Sequence, residues 1–429
     1  LLGIIWMINL QQVSVMIDDD NLSETLSDIV NIASPTGEER LLAEHIANQL
    51  SRYGLKADVQ MIDDKQANAL GFLQSKRGGG TSLLLYSPLD TVTSNSESED
   101  LPWIGSELRF DMRAKSRIVD GHLFGLGAHN PKGHAACIIE AARILKALAL
   151  PLSGDIYFGF GAGGMPTHSR KNIRSDSGHG AGCAHLLRKI PTPDSAIVVK
   201  SGFAVTWEEV GFLWMDVTVE GTHTYVGSIH LLPYQSAISS AAKLIIKLEE
   251  WFEKRSDDLS TDCVKPQAVV SFIQSGWERM PAFTPASCRF RLDLRFGPDQ
   301  IGDDAEAEFQ QVLRQFCDEL EISASSQRVQ MIEASRTDID AEIIKTTIRS
   351  WEEVKGRPHL PFNEMSGATD ANIMRQHGVP TARMGLPKAD LPDLDFQLGM
   401  NAVALSDMRD LTAMLVMSSI KYCGEAVCG

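Results

Sequence analysis

Five short stretches gather the residue types that do chemistry: Ser87–Thr93, GLGAHNPKGH at 125–134, GAGGMPTHSRK at 161–171, KSG at 200–202 and NEMSGATDAN at 363–372. They read as loops that follow predicted strands, and ligands of open α/β sheets bind at the carboxyl ends of strands. In GLGAHNPKGH, only four residues separate Gly127 from Lys132 and no Ser or Thr follows, so it is not a phosphate loop. It precedes a helix whose free N–H groups could hold an anion beside Lys132; a plain structural turn is the alternative. His129 and His134 lie five apart, which matches no metal-ligand spacing, so each is either a substrate contact or a structural histidine. In GTHTYVGSIH (221–230), His223 and His230 flank Tyr225. This loop either supplies a donor over the substrate or packs in a pH-dependent way. His179 stands four residues before Cys183, a weak basis for Cys–His nucleophilic catalysis. No Gly-x-Ser-x-Gly, Cys-x-x-Cys or His-Glu-x-x-His pattern occurs.

The elements that must position these loops follow from hydrophobic period. The run LLLYSPLD ends a predicted strand at Pro88, with Asp90 two residues on. ASPTGEERLLAEHIANQLSRYG predicts a turn and then a helix, with Thr36 as the cap and Glu38 and Glu39 in the first turn. GHAACIIEAARILKALAL predicts a buried helix, and GDIYFGF and DSAIVVK predict short buried strands. Strand, helix and strand at this spacing imply an α/β layer structure with a mainly parallel sheet flanked by helices. After Glu208 the texture changes. GFLWMDVTVEG alternates Leu213, Met215, Val217 and Val219 against Trp214, Asp216, Thr218 and Glu220, a strand with one wet face. Residues 212–328 therefore read as a smaller α+β domain of one antiparallel sheet and two helices, inserted between segments 1–211 and 329–429 of the larger α/β domain. Within it, Asp293 and Arg295 are expected to form an in-strand ion pair.

Composition narrows the partners. A net charge of −16 from 40 basic and 56 acidic residues argues against nucleic acid or an anionic membrane. Seven scattered cysteines form no disulfide pattern, and a cytoplasmic setting is expected. The apolar start LLGIIWMINL is too short to span a bilayer and lacks the features of a signal peptide; translation from Met7 or Met16 is an alternative.

The segments SPTGEE, the strand before Asp90, GLGAHNPKG, SFIQSGWERMPAFTPASCRFRLDLR and SGATDANIMRQHGVPTARMG occur in an order that resembles one family. It is the zinc-dependent aminoacylase, acetylornithine deacetylase and succinyl-diaminopimelate desuccinylase family of amidohydrolases and metallopeptidases. The resemblance covers roughly residues 20–425 and implies a zinc exopeptidase-like fold. It also implies that the inserted domain is a lid that dimerises through its long helix and an edge strand, giving a homodimer. Such enzymes hold two zinc ions with two His, a bridging Asp and further carboxylates, and a Glu beside one ligand takes the proton of metal-bound water.

This sequence departs from that set. The first His falls on Pro88, with its follower kept as Asp90. The bridging Asp falls on Asn130, the Glu-Glu pair around Gly163-Gly164, and the later carboxylate near Lys200. The last His should lie around Gly399–Asn401, and no His follows His377. No metal ligand and no cofactor are therefore assigned. Asp90, Asn130, Lys132, Lys200, Thr369 and Asp370 are expected to converge on one cleft, with His129, His134, His168, His179 and His223 near it. The leading expectation is a divergent amidohydrolase acting on an amide or N-acyl bond of a small amino-acid-like or carboxylate-bearing molecule. It would use either a single metal held by replacement ligands or no metal; in the metal-free version Lys132 or Lys200 would stabilise the oxyanion, and Asp90 or a histidine would act as base. A non-catalytic binder of such a molecule, or a non-hydrolytic reaction in the same cleft, is the alternative.

Overall fold

The strand Leu83–Pro88 is buried at every position, as a strand covered on both faces must be. The same holds for Ile156–Gly161, Ser195–Val199 and Thr381–Met384. In the computed structural model, which describes residues 8–101, 103–167, 174, 176–261, 263–362 and 365–424, these four lie side by side and parallel. They complete a six-stranded sheet that runs Lys56–Met61, Ala67–Leu73, Ile156–Gly161, Leu83–Pro88, Ser195–Val199, Thr381–Met384. The first two strands join it antiparallel. Helices Asp19–Val30, Arg40–Arg52, Lys132–Leu148 and Leu405–Gly424 contribute to the large core around it. Full burial of a Leu such as Leu83 or Leu85 contributes about 1.5–3 kcal/mol.

Parallel pairing has one consequence for chemistry. The loops that leave these four strands, beginning at Leu89, Ala162, Lys200 and Gly385, all start from the same edge of the sheet.

The chain divides into two compact units, Leu1–Trp207 with Thr337–Pro361 and Thr369–Gly429, and Glu208–Arg336 with Phe362–Ala368. The second unit holds a four-stranded antiparallel sheet in the order Ala268–Ser275, Ser287–Phe296, Gly211–Glu220, Ala324–Ile332. The sequence-derived limits 212 and 328 thus fall inside two of its strands. Leu213, Met215, Val217 and Val219 pack with residues of helices Ala237–Asp258 and Gly302–Leu320, while Trp214, Asp216 and Thr218 stay partly exposed. Asp293 and Arg295 form a bidentate ion pair at 2.6 and 2.7 Å, as expected. Among the described residues, no helix is long and apolar enough to cross a membrane.

Candidate functional site

Asp90 leaves the exit of Leu83–Pro88 with no exposure. Its carboxylate accepts from the Thr36 hydroxyl at 2.7 Å, the Gly164 N–H at 2.7 Å and the Met165 N–H at 2.9 Å. Asp90 is thus a strut that fixes the neighbouring strand exit, and this replaces the expected role of base. Thr36 is spent on the same strut. The helix Arg40–Arg52 instead begins at Glu39, without a side-chain cap.

Glu39 is the residue that sequence reasoning underused. It is fully buried, and its Oε1 accepts from the N–H groups of Gly37 and Gly163, both at 2.9 Å, while Oε2 has no partner among the described residues. Burial, reinforced by the charge of Asp90, raises its pKa to about 8. At neutral pH this carboxyl therefore stays protonated. Its placement in SPTGEE, one residue before the helix, was the available signal.

The stretch aligned with the Glu-Glu pair is closed by its neighbours. Gly163 has φ +62°, and a Cβ there would lie 1.8 Å from the Ser177 carbonyl oxygen. A Cβ on Gly164 would lie 2.4 Å from Pro88 Cβ and 3.0 Å from Asp370 Oδ2. The position of the missing His and the position of the missing carboxylates are thus packed directly on each other. Lys200 joins them: it is only 6% exposed, and its ammonium donates to the Gly164 carbonyl at a long 3.5 Å.

Asn130 is also buried, at 6% exposure. Its Nδ2 donates to Met400 Sδ at 3.6 Å, and its Oδ1 has no partner among the described residues. The stretch aligned with the last His therefore does approach the position of the bridging Asp. Lys388 reaches the same place, donating to the Gly399 carbonyl at 2.7 Å and lying 4.0 Å from Met400 Sδ.

The other expected contacts are committed elsewhere. Lys132 has no exposure; its ammonium donates to the carbonyl of Ile32 at 2.6 Å, just past the helix Asp19–Val30, and burial lowers its pKa to about 7. It cannot serve an oxyanion in this arrangement. His129 donates from Nε2 to the Pro387 carbonyl at 2.9 Å, and His134 accepts from the Leu386 N–H at 3.1 Å. Both rings are fully buried, 5.3 Å apart and T-shaped, and tie the exit of Thr381–Met384 to the 125–134 loop rather than to a substrate. Burial lowers the pKa of His129 to about 4 and that of His134 well below the usual range, so both are neutral.

Thr369 caps the helix Asp370–Gln376, accepting from the Ala371 N–H at 3.2 Å. Asp370 is buried, its carboxyl oxygens close to where Gly164 and Gly180 would carry side chains. The half-buried His179 has φ +55°, and its N–H donates to the Met165 carbonyl. Burial pushes the Cys183 thiol well above its ordinary pKa, which removes it as a thiolate nucleophile. His223 and His230 belong to the second unit and are exposed; His223 donates to the Thr284 carbonyl at 2.7 Å and stacks on Phe283. His168 lies outside the described residues. Beside the Asp90 strut opens a cavity of about 450 Å³, lined in part by Pro35, Thr36, Val92, Trp103, Met165 and Thr167.

A parallel-stranded α/β unit with ligand-type loops on one edge, and a separate small β-sheet unit, define a two-domain peptidase scaffold. The chain belongs to peptidase family M20/M25/M40, whose model matches residues 84–397. Similar solved structures include aminopeptidase PepT from Bacillus cereus, at 18% identity over 95% of this chain and 99% of that one, with TM-score 0.67. Human carnosine dipeptidase 1 matches at 15% identity over 96% and 98%, with TM-score 0.70. The dipeptidase Dug1p from Saccharomyces cerevisiae matches at 12% over 97% and 99%, with TM-score 0.71.

The paired metal ions implied by the resemblance do not fit this chain. Proline and glycine offer no donor, the Glu-Glu stretch has no room for side chains, and a lysine stands in a ligand's place. Among the described residues, no group of three or more His, Cys, Asp or Glu could hold a metal ion.

Proposed function

We propose that this chain is an amidohydrolase-type protein that receives a small, amino-acid-like molecule with an amide or N-acyl bond, and works without paired metal ions. The observation that carries the reading is the contact of Pro88 with Gly164, bridged to Lys200, where metal donors would stand. The cavity beside Asp90 has the size of a small-molecule site, and its walls mix the apolar Pro35, Val92, Trp103 and Met165 with the carboxyl residues Glu99 and Asp100. Hydrolysis requires that water add to the amide carbonyl, lose a proton to a base, and that the amine leave with a proton. Asp90 is saturated with donors and Glu39 is protonated, which leaves Asp370, beside Gly164, as the base.

The test is mass-spectrometric detection of products from a panel of N-acyl amino acids and dipeptides. Turnover that survives a chelator and is lost in Lys200→Gln supports the reading; turnover that needs added zinc overturns it. A second reading, a non-catalytic binder of the same molecules, is favoured by the absence of room for any side chain at Gly163 and Gly164. Saturable binding without product would select it.

A homodimer through the second unit belongs to the same proposal. The edge strand Ala268–Ser275 exposes Val269, Phe272 and Ile273, and the long helix exposes Ile238 and Ile246. An unpaired apolar edge favours pairing. Light scattering that finds only monomer would count against it.

A further inference from the structure

We propose that the exits of Ser195–Val199 and Thr381–Met384 form a carboxylate site in which the ammonium groups of Lys200 and Lys388 take over the positive charge of the absent metal ions. The two strands are adjacent and parallel, with Val199 opposite Met384, so Lys200 and Lys388 leave the same edge one and four residues beyond the pairing. Each ammonium touches positions where the resemblance places lost ligands. Lys200 occupies one such position and bonds Gly164 at another. Lys388 bonds Gly399 and lies against Met400, which Asn130 also contacts. The site has therefore changed sign: donors for a cation have given way to cations.

Three observations point to a ligand. Lys200 is 94% buried by its 6% exposure, yet among the described residues its three N–H donors show one bond, at 3.5 Å. A buried ammonium so weakly satisfied is costly unless an anion completes it. Asn130, equally buried, leaves Oδ1 without a partner among the described residues and spends Nδ2 on a thioether. Lys388 is exposed, so one of the two cations is open to solvent in a chain of net charge −16. Beside them His134 is kept neutral, first by burial and then by His129, Lys200, Arg383 and Lys388, so a positive field reaches this part of the interior.

The groups match an N-acyl amino acid or a dipeptide read by its free carboxylate. The carboxylate would accept from Lys200 and Lys388, and the amide N–H on the same α-carbon would donate to Asn130 Oδ1. This substrate class rests on the reading under Proposed function; the carboxylate site does not.

The experiment is a thermal-shift titration of the full chain in chelator-treated buffer, with acetate against its neutral isostere acetamide at matched ionic strength. Acetate is expected to stabilise saturably and acetamide not. Lys388→Gln and Lys200→Met should each weaken acetate at least about tenfold, the worth of one charge-assisted hydrogen bond. Equal effects of acetate and acetamide, or an acetate response unchanged in Lys388→Gln, would overturn the site. Lys388 is exposed, so its variant carries the test if Lys200→Met does not fold. N-acetylalanine separates the two claims: if acetate binds and N-acetylalanine does not, the carboxylate site stands and the amino-acid substrate class falls.

Discussion

Replacing Glu39 by glutamine should remove a loss of stability that builds up between about pH 5 and pH 8. The folded protein raises the pKa of this carboxyl from 4.5 to about 8, by burial and then by the charge of Asp90. Between those values the folded state binds more protons than the unfolded chain, so the contribution of Glu39 is fully present below pH 4.5 and is lost as pH rises to 8. The two pKa values give a loss of about 3 kcal/mol at pH 7 and about 5 kcal/mol above pH 9. A glutamine side chain would keep an oxygen for the N–H groups of Gly37 and Gly163, and it does not titrate. Other buried groups act with the opposite sign. His129 adds stability as pH rises from about 4 to 6.5, and Lys132 does so from about 7 to 10.5. Both are common to the two proteins and cancel in the difference. The assay is urea unfolding of wild type and Glu39→Gln across this range. The variant should match or fall below wild type near pH 5 and exceed it by several kcal/mol near pH 8. A stability difference that does not change with pH would refute the protonated carboxyl.

Three further outcomes follow from the packing. Gly163→Ala should cost about 2–4 kcal/mol, from a positive φ and a backbone collision at 1.8 Å, read by urea unfolding. Gly164→Ala should be destabilising alone and partly rescued by Pro88→Gly, which removes the Cβ it meets, with a coupling of about 0.5–3 kcal/mol in a double-mutant cycle; strict additivity would show that the two positions do not close on each other. Plasma mass spectrometry of protein incubated with zinc or manganese should find well under one ion per chain, and stoichiometric metal would overturn the account of the lost ligands.

The fold was legible where the hydrophobic period was strong. Fully apolar runs such as LLLYSP and SAIVV became the parallel strands, and the alternation in GFLWMDVTVE became a half-exposed antiparallel one. What a side chain bonds to was far less legible, because the partners are main-chain groups distant in sequence. Lys132 points to Ile32, 100 residues away, and His134 to Leu386, 252 away. Residue type suggests chemistry in both cases, while burial assigns them to hold loops together. Lys388 was missed for the converse reason. It stands in an ordinary polar stretch, and only the parallel pairing of two strands brings it to the same edge as Lys200.

Whether such a site is decayed or rebuilt is a question of charge. Losing the metal by drift alone would leave its carboxylate donors facing each other without a cation. Here each remaining charge is managed in its own way: Asp90 is satisfied by a hydroxyl and two backbone N–H groups, and Glu39 is neutralised by a proton. Those two arrangements are enough for a pocket that only has to pack. Lys200 goes beyond that requirement. An apolar side chain would fill the same volume without the desolvation cost of an ammonium, and would commonly be neutral or stabilising by comparison. The cost is offset if an anion completes the site during function. If instead Lys200 serves only to balance Asp370 from within, Lys200→Met should destabilise the free protein and Lys388→Gln should leave acetate binding untouched. A rebuilt site predicts the reverse weighting: a modest effect on the free protein and a large one on the anion.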